Sequence, residues 1–332
     1  MKKALYFEKL KDEIVQCKLC PRNCVIKEGE RGKCRARENQ KGVLYSLVYG
    51  KPCAVHIDPI EKKPLYHFYP GSTALSLGTA GCNLACKFCQ NWAISQARPE
   101  QVASVEMTPE QVVEEAEKNG CKSIAYTYTE PTIFYEYVLD IAKIARKKGI
   151  KNIMVTNGFI NKAPLNELYR YIDAANIDFK GMSEKFYQEI CGAQMQPVLD
   201  SMVEIKRMKV WVELTLLLVT GYNDSSEDIK KQCEWIKTNL GAETPLHISR
   251  FFPDYKMMDV SPTPISKLNE AYETAKDAGL KFVYVGNTVT EKGNTYCPRC
   301  GNLLIKRVGF SIAENKIKNS RCSCRQEIAG FF

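Results

Sequence analysis

The stretch Gly81-Cys82-Asn83-Leu84-Ala85-Cys86-Lys87-Phe88-Cys89-Gln90-Asn91-Trp92 carries three cysteines directly after an apolar, strand-like run from Thr73 to Leu77. Three thiolates can bind three irons of a [4Fe–4S] cluster, which leaves the fourth iron without a protein ligand. The alternative is a structural zinc loop, but zinc sites usually add a second cysteine pair, and none lies near residue 82. The C-x3-C-x2-C spacing therefore favours an iron–sulfur cluster with one open iron.

An open iron beside a reducing cluster is what the chemistry of S-adenosylmethionine (SAM) requires. The amino and carboxylate groups of SAM chelate this iron, an electron passes to the sulfonium, and the C–S bond breaks to give a 5′-deoxyadenosyl radical. The cofactors supply this chemistry, and the protein supplies their placement. We expect the ring of Phe88, just before the last cysteine, to pack against the adenine.

The length of 332 residues suits a single α/β barrel with small appendages. The basic N-terminus has no apolar run behind it, which argues against a signal peptide, and no later run is long enough to span a membrane. The chain has fifteen cysteines, many of them clustered in closely spaced groups. Without a signal peptide, such clusters indicate metal ligands in a reducing cytoplasm, so we expect a cytoplasmic protein.

Strand-like and helix-like runs alternate from residue 73 to residue 285. Six or so such units with near-continuous apolar strands predict a parallel sheet covered by helices, in the α/β class. Fewer than eight units favour an open, partial (β/α)6 barrel over a closed one. We therefore divide the chain into an N-terminal cysteine-rich segment with its lead-in loop (1–71), the partial barrel (72–290) and a C-terminal zinc-ribbon-like segment (291–332).

Polar residues are predicted at the carboxyl ends of four strands, where barrels of this kind collect their functional groups. These residues are Glu130, Thr156, Asn157, Asp178, Lys180, His247 and Arg250. We expect all of them to lie around the cofactor, with Glu130 on the SAM ammonium group and Lys180 on its carboxylate. The alternative for each one is a helix cap or a local turn.

The lead-in loop (58–71) contains several charged residues. These residues either line the mouth of the site or form a solvated linker.

Two further cysteine groups lie outside the strand–helix alternation. The first group is Cys17, Cys20, Cys24 and Cys34, and the second is Cys297, Cys300, Cys322 and Cys324. The spacing of the second group predicts one zinc site. The first group suits zinc or a second iron–sulfur cluster, with a slight preference for zinc, in a loop with little hydrophobic core that metal binding would fold. Of the remaining cysteines, Cys191 is the candidate to face the active site.

The formal charge of +9 is concentrated at the two ends of the chain. Residues 1–51 and 292–325 each carry a net charge of +7, so the remainder carries −5. Basic ends suit a nucleic-acid or an acidic protein partner. The alternative is that lysines and arginines offset the −2 charge of a four-cysteine zinc site. No aromatic–basic stacking pattern accompanies the charge, which argues against nucleic acid. We expect the two ends to recognise the substrate and to take no part in the radical step.

The cluster loop, Thr-Glu-Pro at 129–131 and Asp-Phe-Lys at 178–180 resemble radical SAM enzymes of the pyruvate formate-lyase activating type. The resemblance implies that Glu130 lies at the SAM amino group and that Asp178 and Lys180 belong to the same site. Tyr128 and Thr129 stand where those enzymes have two glycines.

A closer resemblance, to a second family, covers nearly the whole chain. It includes Cys-x2-Cys-Pro-Arg-x-Cys at 17–24 and Asp-Pro-Ile-Glu-Lys-Lys-Pro-Leu-Tyr-His-Phe at 58–68. These motifs look like the AmmeMemoRadiSam-system radical SAM enzyme, which implies AMMECR-type and Memo-type partners.

Three functions fit these observations. The first is a radical SAM enzyme that abstracts hydrogen from a protein or peptide, such as a glycyl-radical partner, with a flavodoxin or ferredoxin as the reductant. The second is a radical SAM catalyst that acts on a small molecule or RNA. The third is a non-enzymatic scaffold that binds several zinc ions, and acid-labile sulfide would distinguish it from the other two.

Overall fold

The N-terminal residues form two small antiparallel sheets in the computed structural model, which describes residues 1–332. Their strands are β1 (Lys2–Lys3), β2 (Phe7–Lys9), β3 (Val15–Cys17), β4 (Val25–Ile26), β5 (Arg37–Gln40) and β6 (Val43–Ser46). The expectation of a loop with little hydrophobic core is wrong. Val15, Leu19 and Leu44 are buried in the same hydrophobic cluster as the central sheet, because alternate residues of β3 and β6 face the barrel.

The centre of the molecule is one eight-stranded sheet. Its strands are β7 (Ala54–Pro59), β8 (Thr73–Gly78), β9 (Ser123–Tyr126), β10 (Lys151–Thr156), β11 (Ala174–Asp178), β12 (Trp211–Leu218), β13 (Leu246–Arg250) and β14 (Val283–Gly286). Strands β8 to β14 run parallel in chain order, and β7 pairs antiparallel with β8. The two edge strands, β7 and β14, do not pair with each other, so the predicted α/β fold with an open barrel is confirmed.

Helices follow most of the parallel strands, as the alternation predicts. They are α1 (Trp92–Ser95), α2 (Pro109–Lys118), α3 (Tyr135–Lys147), α4 (Lys162–Leu168), α5 (Glu184–Phe186), α6 (Gln196–Arg207), α7 (Ser226–Asn239) and α8 (Ile265–Asp277). Helix α2 begins with a capping box, in which Thr108 and Gln111 bond each other's backbone amides. A 3₁₀ turn, Pro131–Phe134, leads directly into α3, and α5 continues into a π turn, Tyr187–Cys191. None of the helices is long and apolar enough to cross a membrane.

The lead-in loop differs from its prediction at both ends. Its beginning belongs to β7, the edge strand of the sheet. Pro59 is tolerated as the last residue of this strand because a proline has no backbone N–H, and at the end of an edge strand that N–H is not needed for pairing within the sheet. After a 3₁₀ turn at Ile60–Lys62, the chain folds back across the end of the barrel where the strands begin. Leu65 and Phe68 pack there against Ala125 and other residues near the strand starts, so the loop closes this end.

The C-terminal segment covers the same end of the barrel. Its strands are β15 (Thr295–Tyr296), β16 (Leu303–Val308) and β17 (Ser311–Asn315). Its apolar residues pack against Tyr66, Phe282 and Tyr284. The buried guanidinium of Arg307 lies 4.0 Å from the ring centroid of Tyr66 and donates to the backbone oxygen of that residue at 2.9 Å. The C-terminal segment is therefore packed against the barrel, opposite the cluster loop, and this placement argues against its expected contact with the substrate.

His67 is a buried histidine at this closed end of the barrel. Its imidazole is fully buried, 2.7 Å from the backbone oxygen of Ala329 and 2.5 Å from the hydroxyl of Tyr284. Burial lowers the pKa of His67 to about 4, although the carboxylate of Glu213 opposes the shift.

We expect the stability that His67 contributes to be lost as the pH falls below its unfolded pKa of about 6.5, because the unfolded chain then binds a proton that the folded chain does not. By pH 5 the wild-type protein loses about 2 kcal/mol relative to His67→Gln. Urea unfolding of both proteins at pH 7 and pH 5 measures this difference. A constant difference between the two proteins contradicts the role of His67.

Candidate active site

The three cysteines of the motif lie on one irregular loop, residues 79–91, at the carboxyl end of β8. Cys86 is buried, and Cys82 and Cys89 are half-buried. The loop is fixed by backbone bonds to the end of the π turn, from Ala85 N to Cys191 O at 3.0 Å and from Lys87 N to Ile190 O at 2.9 Å. The cysteines are therefore held in place by the rest of the barrel.

The surroundings of the sulfur atoms fit metal-bound thiolates. The backbone N–H of Leu84 donates to Cys82 Sγ at 3.4 Å, and Ser95 Oγ lies 3.2 Å from Cys89 Sγ. Burial raises the pKa of the Cys82 thiol, and the carboxylate of Glu130 raises it further. Burial also raises the pKa of Cys89. Without a metal these two thiols would stay protonated at neutral pH, and iron in a cluster would displace their protons.

Glu130, Thr156 and Asn157 form one buried polar network behind Cys82. The carboxylate of Glu130 accepts from Thr132 N at 3.0 Å, Thr156 Oγ1 at 2.8 Å and Asn157 N at 2.8 Å. The side-chain amide of Asn157 then donates to Asn83 Oδ1 at 2.9 Å and lies 3.9 Å from Cys82 Sγ. Glu130 caps a 3₁₀ turn and also connects the ends of β9 and β10 to the cluster loop.

Tyr128 has a backbone conformation that is uncommon for a residue other than glycine. Its φ is +68°, a left-handed conformation that glycine adopts without steric cost. A non-glycine residue in this region typically stores about 1–3 kcal/mol of strain. Tyr128 therefore places a large side chain at a position whose backbone conformation favours glycine.

That side chain joins a charged network that the sequence did not reveal. The hydroxyl of Tyr128 donates to Asp58 Oδ2 at 2.5 Å, and Lys63 Nζ donates to the same oxygen at 2.6 Å. Lys63 also lies 4.6 Å from the centroid of the Tyr128 ring. Burial opposes ionisation of Asp58, but bonds from Lys63 and Tyr128 hold the pKa of its carboxyl below the usual range. Asp58 and Lys63 are buried, so this part of the lead-in loop is not a solvated linker.

Lys180 lies on the other side of the cluster loop. Its ammonium group is 2.9 Å from Asp178 Oδ2 and 5.5 Å from the centroid of the Phe88 ring. Burial would lower the pKa of Lys180, but the charges of Asp178 and Cys86 raise it overall. Phe88 stacks on Phe186 with centroids 6.2 Å apart. Lys180 is thus a buried cation beside the cysteine loop, and Asp178 orients it.

Two predicted strand-end residues are placed differently from the others. His247 is the second residue of β13 and lies near the closed end of the barrel, where its Nε2 is 2.7 Å from Glu213 Oε2. The prediction that it lies at the open end is wrong, because the strand continues for three residues beyond it. Arg250 does end the strand, but its Nε donates to the backbone oxygen of Thr263 at 2.8 Å.

Cys191, the additional candidate from the sequence, lies beside the cluster loop. It is the last residue of the π turn and fully buried, and its backbone oxygen accepts from Ala85 N, directly before Cys86, at 3.0 Å. The proximity of Cys191 and the charge of Lys180 together lower the pKa of Cys86 against the effect of burial. The sequence carried little signal for this contact, since it depends on how the π turn packs against the cluster loop.

The C-terminal cysteines form a compact group. The Sγ atoms of all four lie within 4.8 Å of one another. Cys297 and Cys324 are 3.6 Å apart, and Cys300 and Cys322 are 3.7 Å apart. The structure therefore brings together the predicted metal-binding set of the ribbon-like segment.

Comparison with known proteins agrees with this geometry. The family model described as "Radical SAM superfamily" matches residues 76–235, which include the cluster loop and the ends of β9 to β12. The uncharacterized protein MJ0808 of Methanocaldococcus jannaschii is 50% identical over 99% of both chains. The pyruvate formate-lyase-activating enzyme of Clostridium pasteurianum is 23% identical and aligns with 54% of this chain and 80% of its own length.

Two further relatives are similar over shorter parts. The 4-hydroxyphenylacetate decarboxylase activating enzyme of Clostridium scatologenes is 24% identical over 46% of this chain, which spans about half (47%) of that enzyme. The crystal structure of Streptococcus suis SuiB bound to S-adenosylmethionine has a TM-score of 0.51 at 14% identity, covering 69% of this chain and 53% of SuiB. At this low sequence identity, the similarity to SuiB supports the fold alone.

Proposed function

Because the chain belongs to the radical SAM superfamily, whose members are enzymes, we propose that Cys82, Cys86 and Cys89 bind three irons of a [4Fe–4S] cluster and that SAM binds beside it. The observation that carries this proposal is the arrangement at the open end of the barrel. Three cysteines on one loop meet a buried carboxylate network on one side and a buried ammonium group on the other.

When bound, the cluster and SAM supply the one-electron cleavage that yields a hydrogen-abstracting radical. The chain's own residues provide binding and orientation. Lys180 binds the SAM carboxylate in this account, and Asp178, 2.9 Å from its ammonium group, orients it. Glu130 binds the SAM ammonium group in this account. Its carboxylate also accepts from Asn157, whose side chain bonds Asn83, so Glu130 holds the cluster loop as well. The ring of Phe88 lies beside Lys180 and supplies an apolar surface for the adenine.

The substrate class is a protein or peptide in this proposal, since activating enzymes are among the similar proteins. A flavodoxin or ferredoxin supplies the electron. AMMECR-type and Memo-type proteins are the proposed partners, and the cytoplasm is the proposed location. The ribbon-like segment binds zinc in this account. A small molecule or RNA is the alternative substrate, and the non-enzymatic zinc scaffold is not carried forward, since the superfamily consists of enzymes.

Deuterium transfer tests the substrate class. Extracts from cells grown in deuterated medium are divided into protein, RNA and small-molecule fractions, and each is incubated with reduced enzyme and unlabelled SAM. The proposal predicts deuterium in 5′-deoxyadenosine with the protein fraction and its loss after protease treatment. Deuterium transfer from the RNA or small-molecule fraction alone would contradict a protein substrate.

We expect Lys180→Met to weaken SAM binding while the iron–sulfur cluster remains. The substitution removes a charged hydrogen-bond donor worth about 1.5–3 kcal/mol, which corresponds to roughly a ten- to hundredfold rise in the Kd for SAM. Equilibrium binding to the anaerobically purified protein, with iron counted per chain, measures both properties. The control is Lys206→Met. Lys206 lies in α6, outside the cluster loop, and its ammonium group is 5.8 Å from the centroid of the Trp211 ring. Equal affinities in the two variants would show that Lys180 does not bind SAM.

A further inference from the structure

The two outer cysteine groups differ in their dimensions. A tetrahedral zinc ion holds its thiolates at about 2.3 Å, which places the sulfur atoms about 3.8 Å from one another. The C-terminal group already has this size, with sulfur pairs at 3.6 and 3.7 Å. Its four Sγ atoms all lie within 4.8 Å of one another. The C-terminal group therefore has the dimensions of a single-zinc site.

The N-terminal group is wider. No three of the sulfur atoms of Cys17, Cys20, Cys24 and Cys34 come within 4.8 Å of one another. They still share one site, as the bonds between their loops show. The backbone N–H of Cys17 donates to the backbone oxygen of Cys24 at 2.9 Å, and that of Asn23, directly before Cys24, donates to the backbone oxygen of Cys20 at 3.1 Å. The N–H of Lys33, directly before Cys34, donates to Cys24 Sγ at 3.5 Å.

The cysteines of the cluster loop provide a reference within the same chain. Cys82, Cys86 and Cys89, the set that superfamily membership assigns to an iron–sulfur cluster, also fail to come within 4.8 Å of one another. A cluster requires this wider spacing, because each thiolate binds a different iron at a different corner of the cube. The N-terminal group matches the cluster loop in this respect and differs from the C-terminal group.

We propose that Cys17, Cys20, Cys24 and Cys34 bind a second iron–sulfur cluster, in place of the zinc ion that spacing along the sequence slightly favoured. Four thiolates complete the ligand set of a [4Fe–4S] cluster and leave no iron open for SAM. The second cluster therefore differs in chemistry from the first, and it suits electron transfer better than substrate activation.

The N-terminal site is also packed directly against the cluster loop. Gly81, the residue before Cys82, passes so close to the backbone oxygen of Cys34 that any added Cβ would clash with it. Arg22 donates through Nε to the backbone oxygen of Asn83 at 2.9 Å and through Nη2 to that of Gly192. The two cysteine loops thus touch through their backbones, with Arg22 as a bridge.

Metal counting in a variant that lacks the first cluster tests the proposal. The triple variant Cys82→Ala/Cys86→Ala/Cys89→Ala is purified anaerobically from cells supplied with equal iron and zinc. We expect about four irons and about four sulfides per chain to remain, together with zinc at the C-terminal site. A triple variant with zinc at both outer sites and no sulfide would overturn the proposal.

A second variant locates the remaining iron. Adding Cys20→Ala and Cys24→Ala, which are half-buried and disturb the core less than the buried Cys17 and Cys34, should remove the iron and sulfide. Retained zinc and an unchanged circular dichroism spectrum show that the chain still folds. Iron that survives these changes would place the second cluster elsewhere and overturn the assignment.

The two iron-binding proposals fail separately. If the wild-type protein and the triple variant both contain about four irons, the first cluster is absent and the proposed function fails, but the second cluster stands. If the wild-type protein contains about four irons and the triple variant none, the second cluster is absent and the proposed function stands.

Discussion

Replacing Cys86 by alanine is expected to abolish SAM cleavage. Cys86 is the most buried of the three loop cysteines, and its loss leaves two thiolates for a cluster that needs three. Changes to residues that only support metal ligands cost about 10- to 100-fold in metal affinity or activity, so loss of a ligand itself should cost more. The measurements are iron and sulfide content and the yield of 5′-deoxyadenosine from SAM and dithionite.

The matched control is Cys233→Ala. Cys233 is a fully buried thiol in α7 and lies outside the cluster loop and both outer cysteine groups. This variant should keep its iron, its sulfide and its SAM cleavage. Full cluster content and full activity in Cys86→Ala would show that this loop does not bind the cluster.

Replacing Arg37 by methionine is expected to destabilise the protein by roughly 3–5 kcal/mol, because it leaves the charge of Glu136 buried and unpaired. Arg37 in β5 and Glu136 in α3 are 1% and 2% exposed, and their side chains form an ion pair. Glu136 also accepts from Leu5 N at 2.7 Å, and Arg37 Nη1 donates to Leu5 O at 3.0 Å. The pair therefore attaches the N-terminal segment to the barrel.

Chemical denaturation of Arg37→Met and of the double variant Arg37→Met/Glu136→Leu measures this contribution. The double variant should recover much of the loss, since apolar residues can replace a buried ion pair at little cost. Arg207→Met is the comparison at the surface. Arg207, which pairs with Glu204, is 69% exposed, so its loss should change stability little. Equal losses in Arg37→Met and Arg207→Met would contradict the account.

The sequence was sufficient to predict the parallel sheet because its signals are local. Apolar strands, the capping box at Thr108 and the C-x3-C-x2-C motif each occupy a short stretch of chain. The strand ends could then be located, and with them Glu130, Thr156, Asn157 and Lys180 beside the cluster loop. Their roles in SAM binding stay predictions, since position alone does not show what each side chain binds.

Other features depend on packing between distant parts of the chain. His247 was misplaced because the length of β13 beyond it is set by pairing with β12 and β14. The N-terminal core was missed because Val15 and Leu44 are buried by the barrel and not by their own segment. The partners of Asp58 could not be inferred either. The hydroxyl of Tyr128 donates to Asp58 from a residue whose backbone is left-handed, and the sequence does not predict that conformation for a tyrosine.

The most direct test of the central claim is the reaction of the anaerobically purified wild-type protein with SAM and dithionite. Iron, acid-labile sulfide and zinc are counted in the same sample, and 5′-deoxyadenosine and methionine are measured over time. The account predicts iron and sulfide in equal amounts and formation of both products from SAM. A protein that contains zinc without sulfide and leaves SAM intact would contradict it.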